Sequence, residues 1–346
     1  MATILATIIL IGETNMALKN DEEEIISSIK KEIIKFETPL RKIEIPSFSQ
    51  VYVKDESVNL TGTHKDRMAY EILKVYKNFL LRKENSEFNY DLPKMSLLSS
   101  GAAAIAIQTI LKKHNLPNLK VLLDKETDNN ILSYLKSLGC ETYFCDFSGR
   151  ELSGKDILTL TDNKEGIDIT SCAAFEPSKV FYQSLVEEVF NSKFDFIFIP
   201  FGSGNLYESF INIAKEKILS NREKNKWMQN CNFIGAKINN QKSKANQLYS
   251  PFRPFSNYNK QWLSLFKLQG YCGFQSDVYT VNEESLLEAI NIYKVNNIEA
   301  SPEGCTGLAL LLQFGKDIPK DKKILVINTG KIKTQSEIMD NFGNSV

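Results

Sequence analysis

Two hydrophobic periods alternate along this chain, one typical of helices and one typical of buried strands. The residues after Lys65 carry apolar side chains at helical spacing, namely Met68, Ile72, Leu73, Tyr76, Phe79 and Leu80. This spacing predicts an amphipathic helix. The run from Phe194 to Pro200 is almost entirely apolar, as in a central strand that is covered on both faces.

The same reading gives a regular succession of elements. The predicted strands cover residues 43–53 (one or two strands), 94–98, 121–123, 141–145, 194–200, 232–238, 278–281 and 324–328. The predicted helices cover residues 21–36, 65–81, 102–113, 129–138, 178–190, 207–219, 283–295 and 304–314. Because strands and helices alternate, we expect an α/β fold with mostly parallel sheets and crossover helices. Residues 149–169 and the long loop 240–262 show no clear element, and such a loop is expected near a site or an interface.

The length of 346 residues exceeds the usual size of one hydrophobic core, so two domains are expected. We assign residues 21–85 and 177–346 to a large domain and residues 86–176 to a smaller mobile domain. The polar stretch 82–90 is the predicted linker between them. Residues 1–20 are expected to form an added or poorly ordered segment, with a weak signal peptide as the alternative. The apolar residues 2–12 are too few to span a bilayer.

Composition and charge exclude several classes. Hydrophobic content of 42%, charged content of 24% and zero formal net charge are ordinary for a soluble globular protein. They predict neither a nucleic-acid partner nor a membrane partner. Six cysteines without a Cys-x-x-Cys pair, together with two histidines, predict no metal site and a reduced, cytoplasmic setting with unpaired thiols. Disulfides are the alternative, because the number of cysteines is even. A thiol protease with Cys305 as nucleophile is disfavoured, because the chain has only two histidines and neither is near Cys305 in the sequence. A serine hydrolase is disfavoured because the Gly-x-Ser-x-Gly motif is missing.

Lys65 stands out because it falls in the first turn of its predicted helix, after the turn-forming stretch 60–64. The positive end of the helix dipole and the unpaired N–H groups make an ammonium group unfavourable there. Thr61 or Thr63 is the expected cap of this helix. A lysine in such a place suits reaction as a neutral amine. The alternative is that Lys65 extends into solvent beside Asp66, as most lysines do.

The stretch Gly202-Ser203-Gly204-Asn205-Leu206 joins the apolar strand to the next predicted helix. Small residues at such a junction let backbone N–H groups converge on an anion. The stretch lacks the Lys-Ser/Thr ending of a P-loop, and the next strand ends near Lys237 rather than at the carboxylate that a dinucleotide site needs. The stretch is therefore expected to bind the single phosphate of a small cofactor. The alternative is an ordinary glycine turn that binds no ligand.

A second junction, Ser99-Ser100-Gly101, precedes an alanine-rich helix that begins at Ala102. Its hydroxyl and N–H groups can hold the carboxylate of a substrate. The alternative is a plain N-cap in front of a tightly packed helix, which needs no ligand.

Taken in chain order, these motifs form a series, namely Gly62-Thr63-His64-Lys65-Asp66-Arg67, Ser99-Ser100-Gly101, the stretch 202–206, Ser301-Pro302-Glu303-Gly304 and Thr329-Gly330. The series resembles the fold type II pyridoxal-phosphate enzymes, the tryptophan synthase β family, over roughly residues 35–335. That family includes cysteine synthases, threonine and serine dehydratases and threonine synthases. The stretches 61–67 and 300–309 look most like threonine synthases, whereas the stretch 202–206 has the length seen in dehydratases.

The resemblance implies a two-domain, three-layer αβα sandwich that binds pyridoxal 5'-phosphate. Lys65 would form the imine with the cofactor, and Thr329 would meet its pyridine nitrogen. The residues Gly202, Ser203, Gly204, Asn205 and Leu206 would cradle its phosphate. The carboxylate of a small amino-acid substrate would be held by Ser99, Ser100 and Gly101, with Thr63 as a further substrate-binding residue.

The implied activity is elimination or replacement by a lyase that resembles threonine synthase and converts O-phosphohomoserine to threonine. Threonine or serine dehydration, or replacement as in cysteine synthases, is the alternative. Lys242, Lys244 and Arg253 of the long loop are candidate partners for a substrate phosphate. Because such enzymes commonly pair, a homodimer is expected.

One position departs from the family pattern. After Ser-Ser-Gly the family normally has an asparagine that hydrogen-bonds the ring hydroxyl of the cofactor, whereas this chain has Ala102. The loss of one neutral hydrogen bond costs on the order of 1 kcal/mol, so cofactor binding should survive. A cofactor-binding protein with impaired catalysis, acting as a carrier or regulatory partner, is therefore the alternative from another class.

Overall fold

The computed structural model describes residues 37–84, 91–147, 151–170, 181–249, 260–315 and 317–338. The predictions for residues 1–36 and for Arg253 lie outside these ranges. Among the described residues, two compact units are distinguished. Of the described residues, the first unit holds Glu37 and those within 65–170, and the second holds residues 38–64 together with those from 181 onward. The predicted domain boundary at residue 85 differs from this division, which falls between His64 and Lys65.

The described residues form ten strands and nine α-helices. The strands are β1 (Leu40–Ile45), β2 (Phe48–Asp55), β3 (Met95–Leu98), β4 (Lys120–Asp124), β5 (Glu141–Cys145), β6 (Ile167–Asp168), β7 (Phe196–Pro200), β8 (Asn232–Lys237), β9 (Asp277–Thr280) and β10 (Lys323–Asn328). The helices are α1 (Lys65–Glu84), α2 (Ala102–Lys113), α3 (Asn129–Leu138), α4 (Gly154–Leu160), α5 (Gln183–Phe190), α6 (Asn205–Ser220), α7 (Lys260–Leu268), α8 (Glu283–Val295) and α9 (Pro302–Phe314).

The second unit contains a six-stranded sheet in the order β1-β2-β10-β7-β8-β9. All neighbouring strands are parallel except β1 and β2, which are antiparallel. One face of the sheet packs its alternate apolar side chains against α8 and α9 in the main core. On the other face, Phe210 of α6 and Phe190 of α5 contact Phe233 of β8. Helices therefore cover both faces, which gives the predicted three-layer α/β arrangement.

Strand β7 shows why the sequence folds this way. All five of its residues are buried, as expected for a central parallel strand between two helical layers. Its side chains alternate between the two layers, so Phe196 and Phe198 belong to the core beneath α9. The apolar run in the sequence thus correctly predicted a buried central strand.

The first unit contains a parallel four-stranded sheet in the order β5-β4-β3-β6. Helix α1 packs against α2, which explains why residues 65–84 group with this unit. On one side of the sheet, Ile157 of α4 and Leu152 pack on Leu122 of β4.

Three elements were missing from the sequence prediction. Helix α4 has only seven residues, but Ser153 and Asp156 form a reciprocal capping box at its start. Strand β6 has two residues and is too short to show a hydrophobic period. Helix α7 extends beyond the predicted loop, and the ring of its Phe266 packs against Trp262 with ring centroids 4.2 Å apart.

Candidate active site

Three neighbouring strands of the second unit end side by side. Because β2, β10 and β7 are parallel, their carboxyl ends share one edge of the sheet. The chain leaves β2 toward residues 56–64, β10 toward Thr329, and β7 toward the stretch 202–206. The strand order reverses between β7 and β10, since β8 and β9 extend the sheet on the far side of β7. Crevices at such reversals are the usual ligand sites of open parallel sheets.

The glycine stretch after β7 is built to receive an anion. Gly204 has a φ of +85°, which glycine adopts easily, and it precedes the 16-residue helix α6. Gly204 has no side chain that could cap the first turn of α6. Gly202 lies close to the loop 240–249, because a Cβ atom on it would be 3.0 Å from Cδ2 of Leu248. The N–H groups at this helix start are therefore suited to a phosphate.

Residues 61–64 and 329–333 run antiparallel, and we call this paired segment the clasp. Three backbone hydrogen bonds join it, from His64 N to Thr329 O (3.1 Å), from Lys331 N to Gly62 O (2.9 Å) and from Lys333 N to Thr61 O (3.0 Å). Gly62 and Gly330 both have left-handed φ values, +86° and +87°. A Cβ atom on Gly330 would collide with the Gly62 carbonyl oxygen. The clasp thus ties Thr329 to the residue that precedes Lys65.

All three threonines of the clasp, Thr61, Thr63 and Thr329, are buried. Thr63 is 5% exposed and bridges to Gly330, and its carbonyl oxygen accepts a hydrogen bond from Asn59 Nδ2 at 3.1 Å. Thr329 is 7% exposed, and its hydroxyl makes no hydrogen bond to any residue that the structure describes. Thr329 is therefore a largely buried residue whose hydroxyl can meet a ligand atom.

His64 also faces Thr329. Its ring Nδ1 lies 3.4 Å from the Thr329 carbonyl oxygen, and the ring stacks on Tyr182 with centroids 5.4 Å apart. The sequence analysis gave neither His64 nor Tyr182 a separate role. Nothing in the sequence connects Tyr182 with the motif around Lys65, because the contact depends on the fold.

Lys65 is the first residue of α1, so the prediction that it lies in the first helical turn is confirmed. His64 directly precedes the helix, and the cap by Thr61 or Thr63 stays a prediction. Lys65 is half-buried, and Asp66 is only 2% exposed. These values do not match a lysine that simply extends into solvent beside its neighbour.

In the first unit, Ser99, Ser100 and Gly101 connect β3 to α2, where the strand order reverses between β3 and β6. Ser99 is buried, and its Oγ accepts a hydrogen bond from Gly101 N at 3.0 Å, whereas Ser100 is exposed. Gly101 has a φ of +130°. Helix α2 then begins at the half-buried Ala102, and no described side chain caps its first turn. The backbone N–H groups in the first turn of α2 are therefore suited to bind a carboxylate.

The described residues contain no group of three or more histidine, cysteine, aspartate or glutamate side chains that could hold a metal ion. None of the described helices is long and apolar enough to cross a membrane.

The chemical groups that are present fit pyridoxal 5'-phosphate. The uncapped helix start behind Gly202 and Gly204 suits its phosphate, and the buried Thr329 hydroxyl suits its ring nitrogen. Both lie on loops that leave neighbouring strands at one edge of the second unit's sheet. The amine of Lys65, which follows the clasp directly in the chain, suits its aldehyde.

Comparison with known proteins supports this assignment. A family model described as "Pyridoxal-phosphate dependent enzyme" matches residues 33–330. A search of curated proteins finds no match.

Similar solved structures include serine racemase from Dictyostelium discoideum (18% identity, TM-score 0.63, 90% of this chain and 97% of that one). O-ureido-L-serine synthase is also similar, at 14% identity and a TM-score of 0.61, over 90% of this chain and 93% of that one. Threonine deaminase isoform 2 from Solanum lycopersicum shows 16% identity and a TM-score of 0.58, over 89% of this chain and 88% of that one. At these identities the likeness shows the shared fold. The predicted fold and cofactor are confirmed, and the chain belongs to the family of pyridoxal-phosphate dependent enzymes.

Proposed function

We propose that this protein eliminates or replaces a side-chain group of a small amino acid, with pyridoxal 5'-phosphate as cofactor. The observation that carries the proposal is the hydroxyl of Thr329, a largely buried residue that directly follows β10. A neutral hydroxyl beside the pyridine nitrogen leaves that nitrogen unprotonated, so the bound cofactor withdraws electrons from the substrate Cα only moderately. Moderate withdrawal favours loss or exchange of a side-chain group over transamination.

The other residues would bind the cofactor and substrate and move a proton. The N–H groups at the start of α6 would hold the phosphate. Ser99 to Gly101 and the uncapped start of α2 would hold the substrate carboxylate, which places Cα for reaction. Nζ of Lys65 would take the proton from Cα and return it to the product.

O-Phosphohomoserine is the first substrate to test, because the stretches 61–67 and 300–309 resemble threonine synthases. Such a substrate brings a second phosphate to the site. Lys242 and Lys244 are exposed on the loop that contacts Gly202 through Leu248, so their ammonium groups are candidate partners for it.

Dehydration of serine or threonine, or replacement at their β-carbon, is the second candidate. It is supported by the short glycine stretch 202–206, which has the length seen in dehydratases. The similar structures named as serine racemase, threonine deaminase and O-ureido-L-serine synthase also concern these small amino acids.

A carrier or regulatory role without efficient catalysis is the candidate from another class, and Ala102 supports it. The methyl group of Ala102 cannot hydrogen-bond the ring hydroxyl, which removes roughly 1 kcal/mol of interaction and one restraint on ring tilt. We also propose a cytoplasmic homodimer. Among the described cysteines all five are free thiols, in keeping with a reduced compartment.

A substrate panel separates these functions. Purified protein is mixed with O-phosphohomoserine, threonine, serine and O-acetylserine, and the visible spectrum, released phosphate and keto acids are measured. Phosphate release with threonine formation supports the first candidate, and keto acid from serine or threonine supports the second.

A spectrum that no amino acid changes would refute both enzymatic candidates and favour the carrier. Ala102→Asn is measured in parallel, and we expect it to bind the cofactor a few-fold more tightly and to raise turnover. Equal values in both proteins would show that Ala102 does not limit activity.

A further inference from the structure

Three hydrogen bonds hold the side chain of Asn328, the residue that precedes Thr329. Its Oδ1 accepts a hydrogen bond from Gly330 N at 2.9 Å, so residues 328 and 330 are joined across Thr329. Its Nδ2 donates to Asp55 Oδ1 at 2.9 Å and to the Glu299 carbonyl oxygen at 2.8 Å. Asn328 is fully buried, and both amide hydrogens and the amide oxygen have partners. Its orientation is therefore fixed from three sides.

Asp55 anchors this amide to the neighbouring strand. It is the last residue of β2 and has no exposed surface. Besides the bond from Asn328, its Oδ1 accepts hydrogen bonds from the backbone N (3.2 Å) and the hydroxyl (2.6 Å) of Ser57. Its Oδ2 lies 2.9 Å from Nε of Arg41 in an ion pair. The carboxylate thus links the ends of β2 and β10.

The start of α9 supports the same turn. Ser301 N donates to the Gly330 carbonyl oxygen at 3.0 Å. A Cβ atom on Gly304 would lie 2.6 Å from Asn328 Oδ1 and 3.1 Å from Gly330 O, so glycine is needed for this close approach. The motif Ser301 to Gly304, which the proposed reaction leaves without a role, therefore packs directly on the turn that carries Thr329.

We propose that Asp55, Asn328 and Gly304 are positioning residues that aim the Thr329 hydroxyl at the pyridine nitrogen of the cofactor. This inference rests on the proposed function of Thr329. A threonine side chain has few χ1 rotamers, so the direction of its hydroxyl follows its backbone. Because Asn328 and Gly304 fix the backbone on both sides of Thr329, they set that direction without touching the cofactor.

A double-mutant cycle tests whether Asn328 acts through Thr329. The variants are Asn328→Asp, Thr329→Val and the double variant, each in the full chain. Asn328→Asp keeps the acceptor for Gly330 N but turns a carboxylate oxygen toward Asp55. The affinity for pyridoxal 5'-phosphate is measured by titration of cofactor-free protein, and visible circular dichroism reports how the bound ring is held.

Each single variant should weaken cofactor binding about three- to tenfold, the range for one hydrogen bond, and should change the dichroism. In the Thr329→Val background, Asn328→Asp should have little further effect. Equal effects in both backgrounds would overturn the positioning role, because a general structural defect adds to the loss of the hydroxyl. Asn221→Asp, which adds a charge at an exposed helix end, is the matched control and should leave both measurements unchanged.

Three further variants keep the test decisive if Asn328→Asp does not fold. Asp55→Ala removes the partner of Asn328 Nδ2 and should weaken cofactor binding, whereas Asp55→Asn keeps an acceptor oxygen and should restore most of it. Gly304→Ala should also weaken binding several-fold although alanine favours a helix, which separates positioning from helix stability. Normal binding by both Asp55→Ala and Gly304→Ala would refute the proposal.

The outcomes also separate this inference from the proposed function. If the unmodified chain binds no pyridoxal 5'-phosphate, the proposed function fails, and the positioning role fails with it. If the unmodified chain binds the cofactor and Thr329→Val changes its signal, but Asn328→Asp acts additively, only the positioning role fails.

Discussion

Gly330 is the position in the clasp where one added methyl group should have the largest effect. Its φ of +87° is unfavourable for alanine, and a Cβ atom there would meet the Gly62 carbonyl oxygen. That oxygen also accepts a hydrogen bond from Lys331 N. Gly330→Ala therefore forces the two segments of the clasp apart.

The cost follows from the structure in two parts. A left-handed backbone costs an alanine about 1–2 kcal/mol. Separation of the clasp removes the hydrogen bonds from Lys331 to Gly62 and from His64 to Thr329, each contributing about 1 kcal/mol. We therefore expect Gly330→Ala to lower the free energy of unfolding of the second unit by about 3–4 kcal/mol.

Two other glycines of the second unit serve as controls. Gly270 has a φ of +70°, but the nearest atom to an added Cβ is the flexible end of Arg222 at 3.8 Å, so Gly270→Ala should cost only about 1–2 kcal/mol. Gly315 has an ordinary helical backbone, and Gly315→Ala should lie within about 1 kcal/mol of the unmodified protein. The three variants thus separate backbone strain from collision.

Urea unfolding followed by tryptophan fluorescence measures these differences. The chain has two tryptophans, Trp227 and Trp262, and both belong to the second unit. The midpoints should fall in the order Gly315→Ala, Gly270→Ala, Gly330→Ala, with similar slopes. If Gly330→Ala costs no more than Gly270→Ala, the packing of the clasp described above is wrong.

Further predictions concern a buried ion pair and the thiols. Lys54 Nζ lies 2.6 Å from Glu188 Oε2 and is almost fully buried. In urea unfolding, Lys54→Met should lower the free energy of unfolding by about 3–5 kcal/mol, and the double variant with Glu188→Met should lower it much less. Equal losses in the two variants would refute the pairing. Burial raises the pKa of Cys140 and of Cys305 to about 12. At pH 8 only about one in 10⁴ of these thiols is ionised, so iodoacetamide should modify the half-buried Cys145 before Cys140 and Cys305. Mass spectrometry of the labelled peptides measures the order. Faster labelling of Cys305 would contradict this.

The sequence predicted the fold wherever hydrophobic periodicity was strong. Strand β7 and helix α2 are almost continuously apolar and lie in buried layers, so their patterns are unambiguous. Helix α4 and strand β6 were missed because neither is long enough for its hydrophobic spacing to show. The capping box of Ser153 and Asp156 was a readable signal for α4, although aspartate is less usual there than glutamate.

The positions of Lys65 and Thr329 were predicted because both follow strands in recognisable motifs. The contribution of Asp55 and Asn328 was not predictable in this way. Their hydrogen bond joins residues 273 positions apart and exists only because β2 and β10 are parallel neighbours. Local sequence patterns contain no information on that strand pairing, so Asp55 and Asn328 look like ordinary polar residues at the ends of strands.

Covalent capture of the cofactor tests directly whether Lys65 forms the imine with pyridoxal 5'-phosphate. Purified protein is incubated with pyridoxal 5'-phosphate, reduced with borohydride and digested, and the modified peptide is identified by mass spectrometry, with Lys65→Arg as the control. We expect a single phosphopyridoxyl group on Lys65 and none in the variant. Stable attachment at another lysine, or equal labelling of Lys65→Arg, would contradict it.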